Sequence, residues 1–180
     1  MKKIIFSIFI IIPFFVSSCN NKQESKKINL KEVIKSSNTY TAVNYLELSE
    51  LEVLMAKEPK KIMMIFYQKN CPYCQEMKET TLMDPDIIKL INDNFYAVLV
   101  DGKSKEDITF RGVTYINDHA NPEDKPWRHN FFVEYIEPYN GGYYWPSTIF
   151  LNEKFEKMRT FPGLQKPAQF KRVLQNMINR

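Results

Sequence analysis

Hydrophobic positions along the chain form a few runs separated by charged and turn-forming segments, and the runs differ in kind. Ile62-Met63-Met64-Ile65-Phe66-Tyr67 and Phe95 to Val100 are unbroken apolar stretches, as expected of strands covered on both faces. Thr148 to Leu151 is a third. Phe155 to Phe161, across the Asn152-Glu153-Lys154 turn, is expected to pair beside it despite poor alternation. Helical spacing appears between these runs. Leu51, Leu54 and Met55 share a face of a helix that Ser49 and Glu52 would open as a capping box, with Leu48 as its staple and Pro59 as its stop. Asp84-Pro85 pairs an N-cap with the proline favoured at the first helical position, and Ile87, Ile88, Leu90 and Ile91 follow. Pro167 opens a last helix whose Phe170, Val173, Leu174, Met177 and Ile178 recur at i, i+3, i+4, i+7 and i+8. A short strand over Thr39 to Val43, a helix from near Cys71 to about Thr80, and one around Trp127 to Ile136 complete the set. The order βαβαβ, an irregular stretch, then ββα predicts an α/β domain with a central mixed sheet and helices on both sides.

The first residues do not belong to that alternation. Lys2 and Lys3 precede an apolar segment, Ile4 to Val16, too short for a permanent transmembrane helix and suited to the core of a secretory signal. Val16-Ser17-Ser18-Cys19 resembles the lipobox of bacterial lipoproteins, with Val16 where leucine is usual. That resemblance implies a signal over 1–18, an acylated Cys19, and a lysine-rich tether over 19–38 that carries the domain of residues 39–180 at a membrane of the bacterial cell envelope, on its periplasmic or other extracytoplasmic side. No second long apolar run exists, so no membrane-spanning helix is expected after the signal.

Charge and length narrow the function classes. The chain has 180 residues, which suits one compact domain, and a formal charge of +4. The signal and the tether together carry the positive excess, so the body is close to neutral. A near-neutral body with a basic tail argues against a nucleic-acid-binding domain.

The candidate chemistry lies in Cys71-Pro72-Tyr73-Cys74. A buried strand ends, a short loop follows, and two cysteines bracket a helix start. Free amide N–H groups and the positive end of the helix dipole favour a thiolate there. Cys71 is expected nearest that end with its sulfur exposed. Cys74 is expected one turn deeper, shielded by the domain and within disulfide reach. This makes Cys71 the candidate nucleophile and Cys74 the resolving thiol. Pro72 pre-sets the first helical turn. A zinc site is not expected: with Cys19 lipidated one cysteine pair remains, and His119 and His129 lack ligand spacing to it. Both histidines read as surface or hydrogen-bonding residues. A purely structural Cys71–Cys74 disulfide stays open as an alternative.

The run Phe66-Tyr67-Gln68-Lys69-Asn70-Cys71-Pro72-Tyr73-Cys74-Gln75-Glu76-Met77, then Leu82-Met83-Asp84-Pro85-Asp86-Ile87, resembles the thioredoxin-like domains of exported bacterial thiol:disulfide interchange proteins. Trp145-Pro146-Ser147-Thr148 adds to the resemblance, which covers roughly residues 40–180. It implies a thioredoxin-like fold, and a cis Pro146 packed against the CxxC. It also implies that the Trp145 backbone pairs with an extended substrate, so that Pro72, Tyr73, Trp145 and Pro146 contact substrate. Phe161-Pro162-Gly163 is similar to the family's glycine-containing loop near the site.

Three departures stand out. Asn70 replaces the tryptophan of thioredoxins proper. Ile65 replaces a buried carboxylate, leaving Glu76 or water to take the Cys74 proton. The 45 positions from Asp101 to Pro146 hold an insert of about thirty residues, at about 102–140, which is aromatic and reads either as a lid or substrate platform beside the site or as packing. The Pro-Tyr dipeptide resembles glutaredoxins, whose potentials are intermediate, roughly −200 to −230 mV. The reading is a membrane-tethered reductase of exported protein disulfides, drawing electrons from a membrane partner and using no cofactor besides its own disulfide. A disulfide-forming oxidase and a peptide-binding lipoprotein with an incidental disulfide remain as alternatives.

Overall fold

The computed structural model describes residues 40–117 and 128–180. The expected signal, Cys19, the tether, His119 and Trp127 lie outside the described residues. The organising strand is β1 (Ile62–Tyr67). Alternate side chains of a strand point to opposite faces. Met63 and Ile65 therefore enter one hydrophobic cluster, and Ile62, Met64 and Phe66 another. All five are at most 2% exposed, which is why the run lacks polar alternation. β2 (Tyr96–Asp101) lies parallel to β1 on one edge. β5 (Ser147–Leu151) lies antiparallel on the other, and β6 (Lys157–Pro162) antiparallel beyond it. The order is β2-β1-β5-β6, the mixed sheet that the sequence predicts.

Helices cover both faces. On the first, α2 (Pro72–Glu79), α3 (Pro85–Asn94) and α5 (Pro167–Ile178) bury Met77, Ile87, Ile91, Phe170 and Leu174 against Met63 and Ile65. Asp84 caps α3 as expected, its Oδ1 accepting the N–H groups of Asp86 and Ile87 at 2.9 and 3.2 Å. On the second face, α1 (Leu48–Lys57), the hairpin β3 (Ile108–Phe110) with β4 (Val113–Tyr115), and α4 (Asn130–Tyr135) bury Leu51, Phe110, Phe131 and Phe132. No helix among the described residues is long and apolar enough to cross a membrane.

The structure corrects several boundaries. No strand forms over Tyr40 to Val43; the chain instead makes one parallel bridge, Tyr45 to Ala97. The Asn92 side chain takes the backbone groups that a strand there would pair, accepting from Asn44 N–H at 2.9 Å and donating to the Ala42 carbonyl at 2.9 Å. α1 starts two residues earlier than its Ser49 signal, because Glu50 reaches back to the Glu47 N–H at 3.1 Å and makes Glu47 the N-cap. β6 begins at Lys157, because Phe155 takes a left-handed φ of 64° in a turn that the Asn152 carboxamide holds by accepting from Lys154 and Glu156 N–H.

Within the insert, His129 is wholly buried and serves as the N-cap of α4. Its Nδ1 accepts the Phe131 N–H at 3.0 Å, and its Nε2 lies 3.2 Å from the Glu106 carbonyl. The ring must be neutral to accept at one nitrogen and donate at the other. Burial accordingly pushes its pKa down, against smaller upward pulls from the Glu106 carbonyl, Asp107 and Asp101. A histidine whose folded pKa is depressed leaves stability intact above the unfolded pKa, about 6.5, and withdraws it as the pH falls through that value toward the folded one. We therefore expect the melting temperature to fall below about pH 6.5 more steeply in the wild type than in His129→Asn, which keeps a capping side chain without the titration. Parallel pH profiles in differential scanning calorimetry would refute this assignment.

Candidate active site

The chain leaves β1 at Tyr67 and turns over Gln68, Lys69 and Asn70. Asn70 has a φ of 57°, in the left-handed region that asparagine tolerates better than most residues. That turn delivers Cys71 as the N-cap of α2, with Pro72 at the first helical position. The Cys71 Sγ accepts the Cys74 N–H at 3.1 Å. The two cysteines are joined in a disulfide, with Cα atoms 5.2 Å apart, inside the usual span for such a bond.

Accessibility is the reverse of the sequence expectation. Cys71 is only 7% exposed, and Cys74 is half-buried. Cys71 sits where the β1–α2 turn, the start of α2 and Pro146 come together around one cavity, while Cys74 lies one turn along a helix whose neighbouring Tyr73 and Gln75 face solvent.

The Trp145–Pro146 peptide bond is cis and immediately precedes β5. Ser147 pairs with Phe66, the penultimate residue of β1, so the antiparallel register carries Pro146 to the end of β1 where the cysteines are. The Pro146 carbonyl accepts the Gly163 N–H at 2.7 Å. Gly163 has a φ of 75°, a conformation that suits glycine, so the Phe161-Pro162-Gly163 loop does contact the site's proline.

A cavity of about 510 Å³ opens over the disulfide. Cys71, Pro72, Cys74 and Pro146 line it, so four sequence-predicted positions converge. The Tyr73 and Trp145 side chains do not line it. Tyr73 projects into solvent at 61% exposure. The Trp145 indole turns away and stacks on Phe132, with centroids 4.4 Å apart and planes 27° apart, over Gly102. Ile65, Met77 and Leu82 form the apolar base. Tyr45, Tyr67, Leu99, Lys69 and Lys78 also line the cavity, and none of these was singled out from the sequence. Leu99 sits inside an apolar strand run yet is 37% exposed, and Tyr45 comes from before α1, so local pattern carries no signal for either. Lys69 and Lys78 flank the CxxC in sequence, which was signal enough to find them.

Burial pushes the Tyr45 phenol up to about 12. Burial, and then Asp101, raise Tyr67 as well. No Asp or Glu lines the cavity, Glu76 included. Nor does any described residue of the insert between 102 and 144 line it. The insert's buried aromatics, Phe110, Phe131 and Phe132, instead pack under α1 and the sheet. The described part of the insert touches the site's surroundings through the Phe132–Trp145 stack. Among the described residues no cluster of His, Cys, Asp and Glu could hold a metal ion.

A mixed sheet, a CxxC at a helix start and a cis-proline beside it define a thioredoxin-like protein. The chain belongs to that family: the thioredoxin-like domain profile matches residues 49–178. Solved structures agree on the fold. A thioredoxin from Thermus thermophilus superposes with a TM-score of 0.52 at 21% identity, covering 76% of this chain and 87% of that one. A protein described as DsbH oxidoreductase superposes with a TM-score of 0.54 at 11% identity, over 83% of this chain and 98% of that one. Spermatogenesis-associated protein 20 from Mus musculus is 29% identical over 91 residues, which is 50% of this chain but only 11% of that protein's length.

A Cβ at Gly102 would meet Trp145 Cη2 at 2.5 Å and Phe132 Cδ2 at 2.9 Å, closer than any real contact. Gly102→Ala should therefore displace the indole and lower the melting temperature by several degrees. In a Trp127→Phe background Trp145 is the sole tryptophan, and its selectively excited emission should shift to the red; an unchanged spectrum would contradict the packing described.

Proposed function

We propose that this protein is a thiol:disulfide oxidoreductase, tethered by a lipid at Cys19 to an extracytoplasmic membrane face, that reduces disulfides of exported proteins. One observation carries the redox reading: the Cys71 sulfur caps α2 and accepts the Cys74 N–H, with the cis Pro146 in the same cavity. A donated N–H and the positive end of a helix both stabilise negative charge on that sulfur once the disulfide is reduced. The Cys71 thiolate attacks one sulfur of a substrate disulfide. A mixed disulfide forms, the substrate S–S bond breaks, and the departing sulfur takes a proton. Cys74, deprotonated, then attacks the Cys71 sulfur, releases the second substrate thiol and regenerates the Cys71–Cys74 disulfide. Two electrons pass to the substrate, and a membrane-bound dithiol protein restores the reduced pair. With Ile65 in place of an internal carboxylate, the Cys74 proton leaves to solvent, which the half-buried position of Cys74 allows.

The substrate backbone has a partner waiting. Among the described residues the main chain of Trp145 makes no hydrogen bond, so its N–H and C=O are open to an extended segment. Pro146 then packs against the substrate sulfur region, Pro72 lines the approach, and Tyr73, exposed at 61%, contacts the segment outside the cavity.

The protein should accelerate the reduction of insulin by dithiothreitol. Cys71→Ser should abolish that acceleration, and Cys74→Ser should trap the mixed disulfide on Cys71; full activity in Cys71→Ser removes the mechanism. The tether is tested separately: mass spectrometry of the membrane fraction should find an acylated, N-terminal Cys19, and an unmodified residue 19 there ends that part of the reading.

A further inference from the structure

The ionisable side chains around the cavity are unevenly distributed by sign. Lys69, in the β1–α2 turn, and Lys78, on α2, both line it, while no Asp or Glu does. Both lysines are exposed, and among the described residues neither forms an ion pair. The other polar lining groups, Gln68, Asn70 and Gln75, are neutral. The neighbouring carboxylates keep their charge but lie outside the lining. Asp101 accepts the Lys103 N–H at 3.0 Å in the turn after β2, and Glu79 is hydrogen-bonded to Gln75 along α2. Tyr45 and Tyr67 remain neutral phenols at working pH, since burial raises both. The formal charges among the lining side chains are thus both positive, on a domain whose net charge is close to zero, while the Asp101 carboxylate bears on Tyr67 from outside the lining.

We propose that this cavity selects protein disulfides flanked by acidic residues, with Lys69 and Lys78 receiving Asp or Glu side chains next to the attacked cysteine. The inference rests on the redox reading above and specifies its substrate class. The cost of desolvating the lysines is small because both stay at the rim, so the attraction is that of exposed ion pairs. Such a pair is worth about threefold in rate or affinity, and two together roughly tenfold. The lysines also sit near Cys71, where positive charge stabilises a thiolate. That effect multiplies the rate toward every substrate alike and cancels in a ratio between substrates. Charge selection does not cancel.

The test uses the reduced full chain and three peptide disulfides that differ only in whether Asp, Gln or Lys flanks the cysteine. At low ionic strength kcat/KM should follow Asp over Gln over Lys, with Asp ahead of Lys by about tenfold. The ratio should shrink toward one in 1 M salt, where the screening length is about 3 Å. Lys69→Glu with Lys78→Glu should invert the order, and Lys69→Gln with Lys78→Gln should flatten it. Equal rates for the three peptides, or an Asp preference that survives the double Glu variant, would overturn the proposal. The uncharged 2-hydroxyethyl disulfide separates the two readings. If the wild type reduces it but shows no charge order, only the selectivity fails; if it reduces neither this compound nor any peptide, the redox reading falls and the selectivity with it.

Discussion

Burial of β1 on both faces is the constraint from which the site follows. Ile62, Met64 and Phe66 are committed to one core and Met63 and Ile65 to the other. A slip of one residue would exchange the two sets and put each against the wrong partners. The register of β1 is therefore fixed, and with it the point where the strand stops. The pairing of Ser147 with Phe66 then transmits that position to the neighbouring strand, so Pro146 meets the end of β1. The CxxC and the cis-proline are 70 residues apart or more in the chain, and they share a cavity because two strands cannot slide past each other.

The second core does a different job. Phe66 makes an edge contact with Phe132 at 5.5 Å, and Phe132 stacks on Trp145. The described part of the aromatic insert is thereby continuous with the residue that precedes the cis bond, which it reaches through packing. His129 secures that arrangement at its base by capping α4 from a fully buried position. Phe131 and Phe132 are committed to the core with no exposed surface, while Tyr139 and Tyr144 of the same stretch face solvent.

At the disulfide itself, two physical effects oppose each other. The N-cap position offers a hydrogen bond and a favourable dipole to an anionic sulfur, while burial of Cys71 withholds water from it. The open cavity beside the disulfide eases the second effect.

Much of this was legible in the chain. The unbroken run at 62–67, the Asp84-Pro85 start and the amphipathic spacing after Pro167 each report a local preference that tertiary packing reinforces. The hairpin at Ile108-Thr109-Phe110-Arg111-Gly112-Val113-Thr114-Tyr115 is written locally too, as two β-rich triplets around a two-residue turn ending in glycine, inside the stretch expected to be irregular. Cys71 and Cys74 were identifiable because strand, turn and helix are contiguous there, so the chemistry of the pair is local. Their relative exposure was not, because it depends on what the distant Pro146 and Tyr45 cover. Nor could any short-range pattern show that Leu99 opens onto the cavity or that the indole of Trp145 faces away from it. Local sequence determined which residues form the disulfide pair and which elements carry them; only the folding of both sheet edges around β1 decided what surrounds that pair, since those contacts join residues that have no proximity until the core closes.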